Sequence, residues 1–141
     1  MDFFEAVKLN MDRKVENLLL KDKRYIFEYD YFHQTAFHWA AKRGYNQILS
    51  TLFDFGVHIN ILDMKNRTPL WLAAKYNNSY ICDLLIQNKA NPFITDITGK
   101  RPLDVTNDPS IKKLIGDYMD VNKYFYILLL FFNNYFSFLI I

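Results

Sequence analysis

Three histidines (His33, His38 and His58), one cysteine (Cys82) and a Gly99-Lys100 pair could support metal binding, nucleophilic chemistry or phosphate binding. A phosphate-cradling loop needs a first glycine five residues before the second and a Ser or Thr after the lysine. Ile94 and Arg101 hold those places, so the loop is not built. A single cysteine excludes an internal disulfide and a cysteine-based zinc site, and fits a reducing compartment. A histidine metal site would need all three rings to converge at ligand distance, which depends on the elements that carry them. Asn66-Arg67-Thr68 and Asn77-Asn78-Ser79 match the glycosylation sequon, a pattern that also arises by chance.

Composition sets the frame for those elements. A chain of 141 residues has room for one domain with a real core. Its 51% hydrophobic and 18% aromatic content speaks against disorder. The net charge of +2 is too weak a field to argue for nucleic acid. Met1-Asp2-Phe3-Phe4-Glu5 has no basic region followed by an apolar run, so no secretory signal is expected and the cytosol is the expected location.

The chain repeats itself. Thr35-Ala36-Phe37-His38-Trp39-Ala40-Ala41 recurs as Thr68-Pro69-Leu70-Trp71-Leu72-Ala73-Ala74 and, degraded, as Arg101-Pro102-Leu103-Asp104-Val105; 68 minus 35 and 101 minus 68 are both 33. Asp30, Asp63 and Asp96 share the register, as do Val15, Ile48 and Ile81, and then Leu19, Leu52 and Leu85. Thr35 and Thr68 supply N-cap hydroxyls, and Pro69 and Pro102 follow where a missing amide costs nothing. Asp2 with Glu5 has the form of a capping box, which starts a first helix almost at the methionine. The alanine pairs allow close approach of neighbouring helices. Gly44 and Asn77 suit the left-handed residue that ends a helix. Ile48, Leu49, Leu52 and Phe53, then Ile81, Leu84, Leu85 and Ile86, line one face of each second helix.

This period and the Thr-Pro-Leu pattern resemble the ankyrin repeat, over about four units within residues 2–118. The resemblance implies an all-α solenoid of stacked helix-turn-helix units joined by β-turn loops. The units fall at about 1–33, 34–66, 67–99 and 100–118, followed by a hydrophobic C-terminal helix in 119–141. It implies no enzyme activity and no cofactor. The turn tips, glycine in the family, are His33, Asn66 and Gly99 here. The histidine that bonds adjacent loops in the family survives as His38, while Trp71 and Asp104 replace it, leaving no histidine for the later junctions. Ile111, Leu114 and Ile115 follow Ile81, Leu84 and Leu85 by 30 residues, and imply a shortened capping helix. The same register sends His33 to a turn tip, His38 to a helix start and His58 to a loop, so structural histidines are expected, and Cys82 is expected to be a buried, inert thiol.

In ankyrin repeats the turn tips and first helices carry the partner-binding face, which the resemblance places here. On the tips it has Tyr31, Phe32 and Gln34, then Met64, Lys65 and Arg67, then Ile97, Thr98 and Lys100. On the helices it has Trp39, Lys42 and Arg43, then Leu72, Lys75 and Tyr76. Six of these are basic and none is acidic. Aromatics interleaved with Lys and Arg predict a protein partner with an acidic, partly apolar segment, and a monomer.

The tail departs from the repeat. Tyr124 to Ile141 is 18 residues without a charge. As a helix it would be about 27 Å long, near the thickness of a bilayer core. A membrane anchor with Lys112, Lys113 and Lys123 on the cytosolic side is one expectation. Asn133, Asn134 and Ser137 weigh against it, and the alternatives are a helix docked on the last repeat or a truncated or misread gene end. The functional readings are thus a protein-binding adaptor, with or without a tether, and alternatively the regulatory region of a larger membrane protein such as a channel, transporter or acyltransferase.

Overall fold

The computed structural model describes residues 1–138, with side chains through residue 128 apart from Tyr126. Among the described residues, eight α-helices form four hairpins: α1 (Phe3–Lys8) with α2 (Asp12–Lys21), α3 (Ala36–Arg43) with α4 (Asn46–Asp54), α5 (Pro69–Lys75) with α6 (Ser79–Gln87), and α7 (Pro102–Val105) with α8 (Pro109–Phe138). A 3₁₀ turn over Lys23–Phe27 leads from the first hairpin to the first loop. Among the described residues there is no β-strand, only an isolated bridge between Tyr29 and Thr35.

Local chemistry starts and stops these helices where the pattern requires. Asp2 Oδ1 accepts the Glu5 amide at 2.7 Å, and Thr68 Oγ1 accepts the Trp71 amide at 3.1 Å. At α8 the cap is Asp108, whose Oδ1 accepts the amides of Ser110 and Ile111. Gly44 ends α3 with φ at 75°, and Asn77 takes φ at 57° after α5. A Cβ on Gly44 would also come 3.1 Å from Asn78 Oδ1. The reason is that Asn78 Nδ2 donates across the hairpins to the carbonyls of Ala41 and Lys42, at 2.7 and 3.0 Å. One repeat earlier, Tyr45 Oη does the same to the carbonyl of Lys8 at 3.2 Å. The second and third hairpins thereby satisfy carbonyls that the first helix of the preceding hairpin leaves unpaired.

The core is a continuous row through the stack. Val15, Ile48, Ile81 and Ile111 are fully buried, as are Leu52, Leu85 and Ile115, with Leu19 at 1% exposure. Burying each such aliphatic side chain contributes roughly 1.5–3 kcal/mol relative to leaving it in water. Ala40, Ala41, Ala73 and Ala74 are fully buried where α1, α3, α5 and α7 pack side by side. Larger side chains there would push the helices apart.

One expectation for the last unit is corrected. Its second helix is not shortened: α8 runs 30 residues and continues past residue 118 without a break, because no Pro, Gly pair or cap interrupts it. The short element is α7, of four residues. Among the described residues no helix is long and apolar enough to cross a membrane, and the expected span over Tyr124–Ile141 lies partly outside the described residues. The described part of that stretch includes Asn133, Asn134 and Ser137 but not the apolar end; residues 139–141 lie outside the described residues.

Candidate functional site

The loops between hairpins are built by one aspartate each. Asp30 Oδ1 accepts the amides of Phe32 and Gln34 at 2.8 and 2.9 Å; Asp63 Oδ1 accepts those of Lys65 and Arg67 at 2.9 and 3.0 Å; Asp96 Oδ1 accepts those of Thr98 and Lys100 at 2.8 and 3.0 Å. Such side-chain turns tolerate a left-handed tip, and His33, Asn66 and Gly99 take φ of 55°, 55° and 81°. Successive turns are laddered by backbone bonds, from the Met64 amide to the Phe32 carbonyl (3.1 Å) and from the Ile97 amide to the Lys65 carbonyl (3.0 Å).

A second set of bonds ties each first helix to the next loop. His38 Nδ1 accepts the Thr35 amide at 3.2 Å, which leaves Nε2 protonated to donate to the Arg67 carbonyl at 3.2 Å. The ring is fully buried, so burial lowers its pKa, while Asp63 nearby pulls the other way. Sequence reasoning left the later junction without such a bond, and that is corrected. Trp71, in the register of His38, donates its indole N–H to the Lys100 carbonyl at 3.1 Å. An indole nitrogen is a donor only, which is all this position requires.

Asp63 is the most enclosed acid of the turns. Its Oδ2 accepts from Gln34 Nε2 (2.9 Å) and Arg67 Nε (2.8 Å), with the Arg67 guanidinium at 2.7 Å. Burial alone would raise its pKa, but these bonds and the turn amides outweigh it and hold the carboxyl below its ordinary value. Asp96 is likewise lowered against the effect of burial, by the amides of Lys100 and Thr98 and the Thr98 hydroxyl. Cys82 is fully buried, and burial pushes its thiol up to about 12. It is protonated at physiological pH and inert as a nucleophile.

The proposed partner-facing residues divide by exposure. Tyr31, Phe32, Met64, Lys65, Ile97, Thr98 and Lys100 are exposed on the turns. Arg43, Lys75 and Tyr76 are exposed, and Trp39 and Lys42 half-buried, at the C-terminal ends of α3 and α5. Two residues do not belong to a free face. Leu72 is fully buried, because α5 is packed between α3 and α7 and a leucine is too short to emerge. Gln34 is buried and spends its amide on Asp63. Arg67 is partly buried in its ion pair. Lys8 is a residue that the sequence reading missed: its Nζ stands 5.4 Å from the Trp39 ring centre. In the 33-residue register Lys42 corresponds to Leu9, so the repeat gave no signal for Lys8. Asn66 and Asn77, in left-handed turn positions, are exposed.

His33, His38 and His58 are not brought together, and among the described residues no group of His, Cys, Asp or Glu is placed to hold a metal ion. What the geometry offers is a row of loops and helix ends carrying aromatics and cations. Residues 3–96 match the family described as ankyrin repeats in three copies. The fourth hairpin, α7 with α8, lies beyond that match and is packed on the third. The chain is 32% identical over 74 residues to mouse protein phosphatase 1 regulatory subunit 12A, covering 52% of this chain and 7% of that protein. It is 25% identical over 114 residues to human BCL-6 corepressor-like protein 1, covering 81% and 6%. An ankyrin repeat protein of fowlpox virus is 32% identical over 78 residues, covering 55% and 54%. The chain thus spans only a minor part of the first two and about half of the third. Capped helix pairs at a 33-residue interval, Asp-built turns laddered along one edge and the family match agree: the chain belongs to the ankyrin-repeat family, whose repeats are generally protein-interaction modules.

Proposed function

We propose that this chain is a non-catalytic adaptor that grips an acidic, partly apolar segment of another protein along its turn tips and first-helix ends. The observation that carries this reading is the exposed combination of Arg43, Lys75 and Tyr76 with half-buried Trp39 and Lys42, none of the cations being in an ion pair among the described residues. Aromatic residues and arginine are the types enriched where binding energy concentrates, and unpaired cations steer acidic segments to the face. Exposed Tyr31, Met64 and Ile97 stand at equivalent places in three successive turns and offer apolar contacts at the repeat interval. A cytosolic setting and a monomeric chain are part of the proposal.

Affinity capture with the intact chain tests it. The double variant Trp39→Ala/Arg43→Ala, checked for native helix content by circular dichroism, should lose the partners that the parent retains. Every captured protein remaining bound would refute the proposal.

A further inference from the structure

Charge gathers at one point of this face beyond what the fold uses. Lys8 Nζ, Lys42 Nζ and Arg43 Cζ lie 5.4, 5.6 and 5.6 Å from the centre of the Trp39 ring, and Lys42 Nζ lies 5.5 Å from that of Tyr76. Any two of the cations are therefore no more than about 11 Å apart, close to one screening length at physiological salt. None is in an ion pair among the described residues. The carboxylate nearest the ring is already engaged: Asp30 Oδ2 accepts the indole N–H at 2.9 Å, and Oδ1 holds the turn amides.

The fold explains part of this. Lys8 sits in the last turn of α1, and Lys42 and Arg43 in that of α3, where cations offset the helix dipole. Dipole compensation does not require cations from two different repeats to gather on one ring. An indole has two faces for three cations, so cation–π attraction does not settle all of them.

We propose that this cluster seats a phosphorylated side chain of the partner segment, an inference that rests on the protein-binding reading above. Asp30 offsets one of the three cations, and a carboxylate, with a single negative charge, would leave another unanswered. A phosphate monoester brings about −1.5 to −2 charges and three acceptor oxygens at pH 7. That matches two ammonium groups and one forked guanidinium. Trp39 and Tyr76 wall the site with apolar surface, which strengthens the charge pairing and covers the carbon stem of the modified residue. Lys75, the register mate of Lys42 one repeat along, is also exposed, which suits an extended peptide more than a single headgroup.

The test uses the intact protein, immobilised, and short peptide pools with randomised flanks whose central residue is phosphoserine, phosphotyrosine, glutamate or serine. A phosphorylated pool should bind at least about tenfold more tightly than the glutamate pool, as a dianion with three acceptors allows. Lys8→Ala, Lys42→Ala and Arg43→Ala should each narrow that gap, while Lys89→Ala, outside the cluster, should leave it unchanged. These positions are exposed or half-buried, so native helix content is expected in all four variants. Equal binding of phosphorylated and glutamate pools, both above serine, would overturn the phosphate assignment and leave the acidic-segment reading standing. No pool exceeding serine would overturn both. Retention on phosphoinositide vesicles without any peptide preference would overturn the inference in favour of a lipid.

Discussion

The junction between the second and third repeats and the junction between the third and fourth use the same places in the register for different chemistry. At the former, His38 bonds the Arg67 carbonyl, Gln34 reaches Asp63, and Arg67 closes a buried ion pair over it. At the latter, Trp71 bonds the Lys100 carbonyl, and Asp96 keeps its turn but has no arginine. Arg67, the register mate of Gln34, faces back to Asp63 and does not reach forward to Asp96. One junction is thus a buried polar network with a titratable ring, while the other rests on one indole donor and an exposed turn. The repeat specifies a donor and an acceptor at each place, and leaves open which side chains provide them.

That contrast can be broken or sharpened by substitution. The largest effect is expected at Leu72, register mate of half-buried Trp39 but fully enclosed. Leu72→Ala should cost about 3 kcal/mol in urea unfolding through the cavity it leaves. A loss of partner binding at unchanged stability would contradict the burial described here. Asp63→Ala should follow, at about 3 kcal/mol, because it strands Arg67 and Gln34. Asp96→Ala, in the more exposed turn, should cost about 1 kcal/mol. Equal losses from the two aspartates would remove the distinction between the junctions.

Smaller effects probe the donors. Trp71→Phe keeps most of the ring but deprives the Lys100 carbonyl of its partner, and should cost about 1 kcal/mol. His38 gives its junction a pH dependence near neutrality, whereas the lowered Asp96 carboxyl at the next junction acts only in acid. Its folded pKa lies below the ordinary value of 6.5, so the unfolded chain takes up a proton first as pH falls. The stability it contributes is complete above about pH 6.5 and declines below that as pH falls through the lowered folded value. The urea midpoint should therefore drop between about pH 7 and 5 in the parent and drop less in His38→Gln. The lowered Asp63 carboxyl acts in a separate window, below its ordinary 3.8. The smallest effect is expected at Lys75, where replacement by alanine should change stability by no more than about 0.5 kcal/mol. It should still weaken capture of an acidic partner.

Most of the fold was legible because short-range chemistry repeats at 33 residues. Thr68, Pro69, Gly44, Asn77 and the turn aspartates act on backbone groups a few positions away, so their spacing alone announces helix ends and loops. The candidate site was legible only in part. Which of the first-helix residues emerge depends on what packs against each helix, and Leu72 and Gln34 are covered by neighbours that a register cannot weigh. The Trp71 bond was not legible because the family's pattern names a histidine there, whereas the position requires only an N–H aimed at a carbonyl.

The sequence by itself determined the repeat interval, the capped helices, the Asp-built turns and the buried aliphatic rows, since each follows from contacts within a hairpin or its identical neighbour. The stacking of unlike neighbours decided the rest. It tied Gln34 of one turn to Asp63 of the next, enclosed Leu72, and brought Lys8 of the first repeat to Trp39 of the second. Those outcomes join residues some 30 positions apart through side-chain reach and competition for shared partners, which no one-dimensional pattern records.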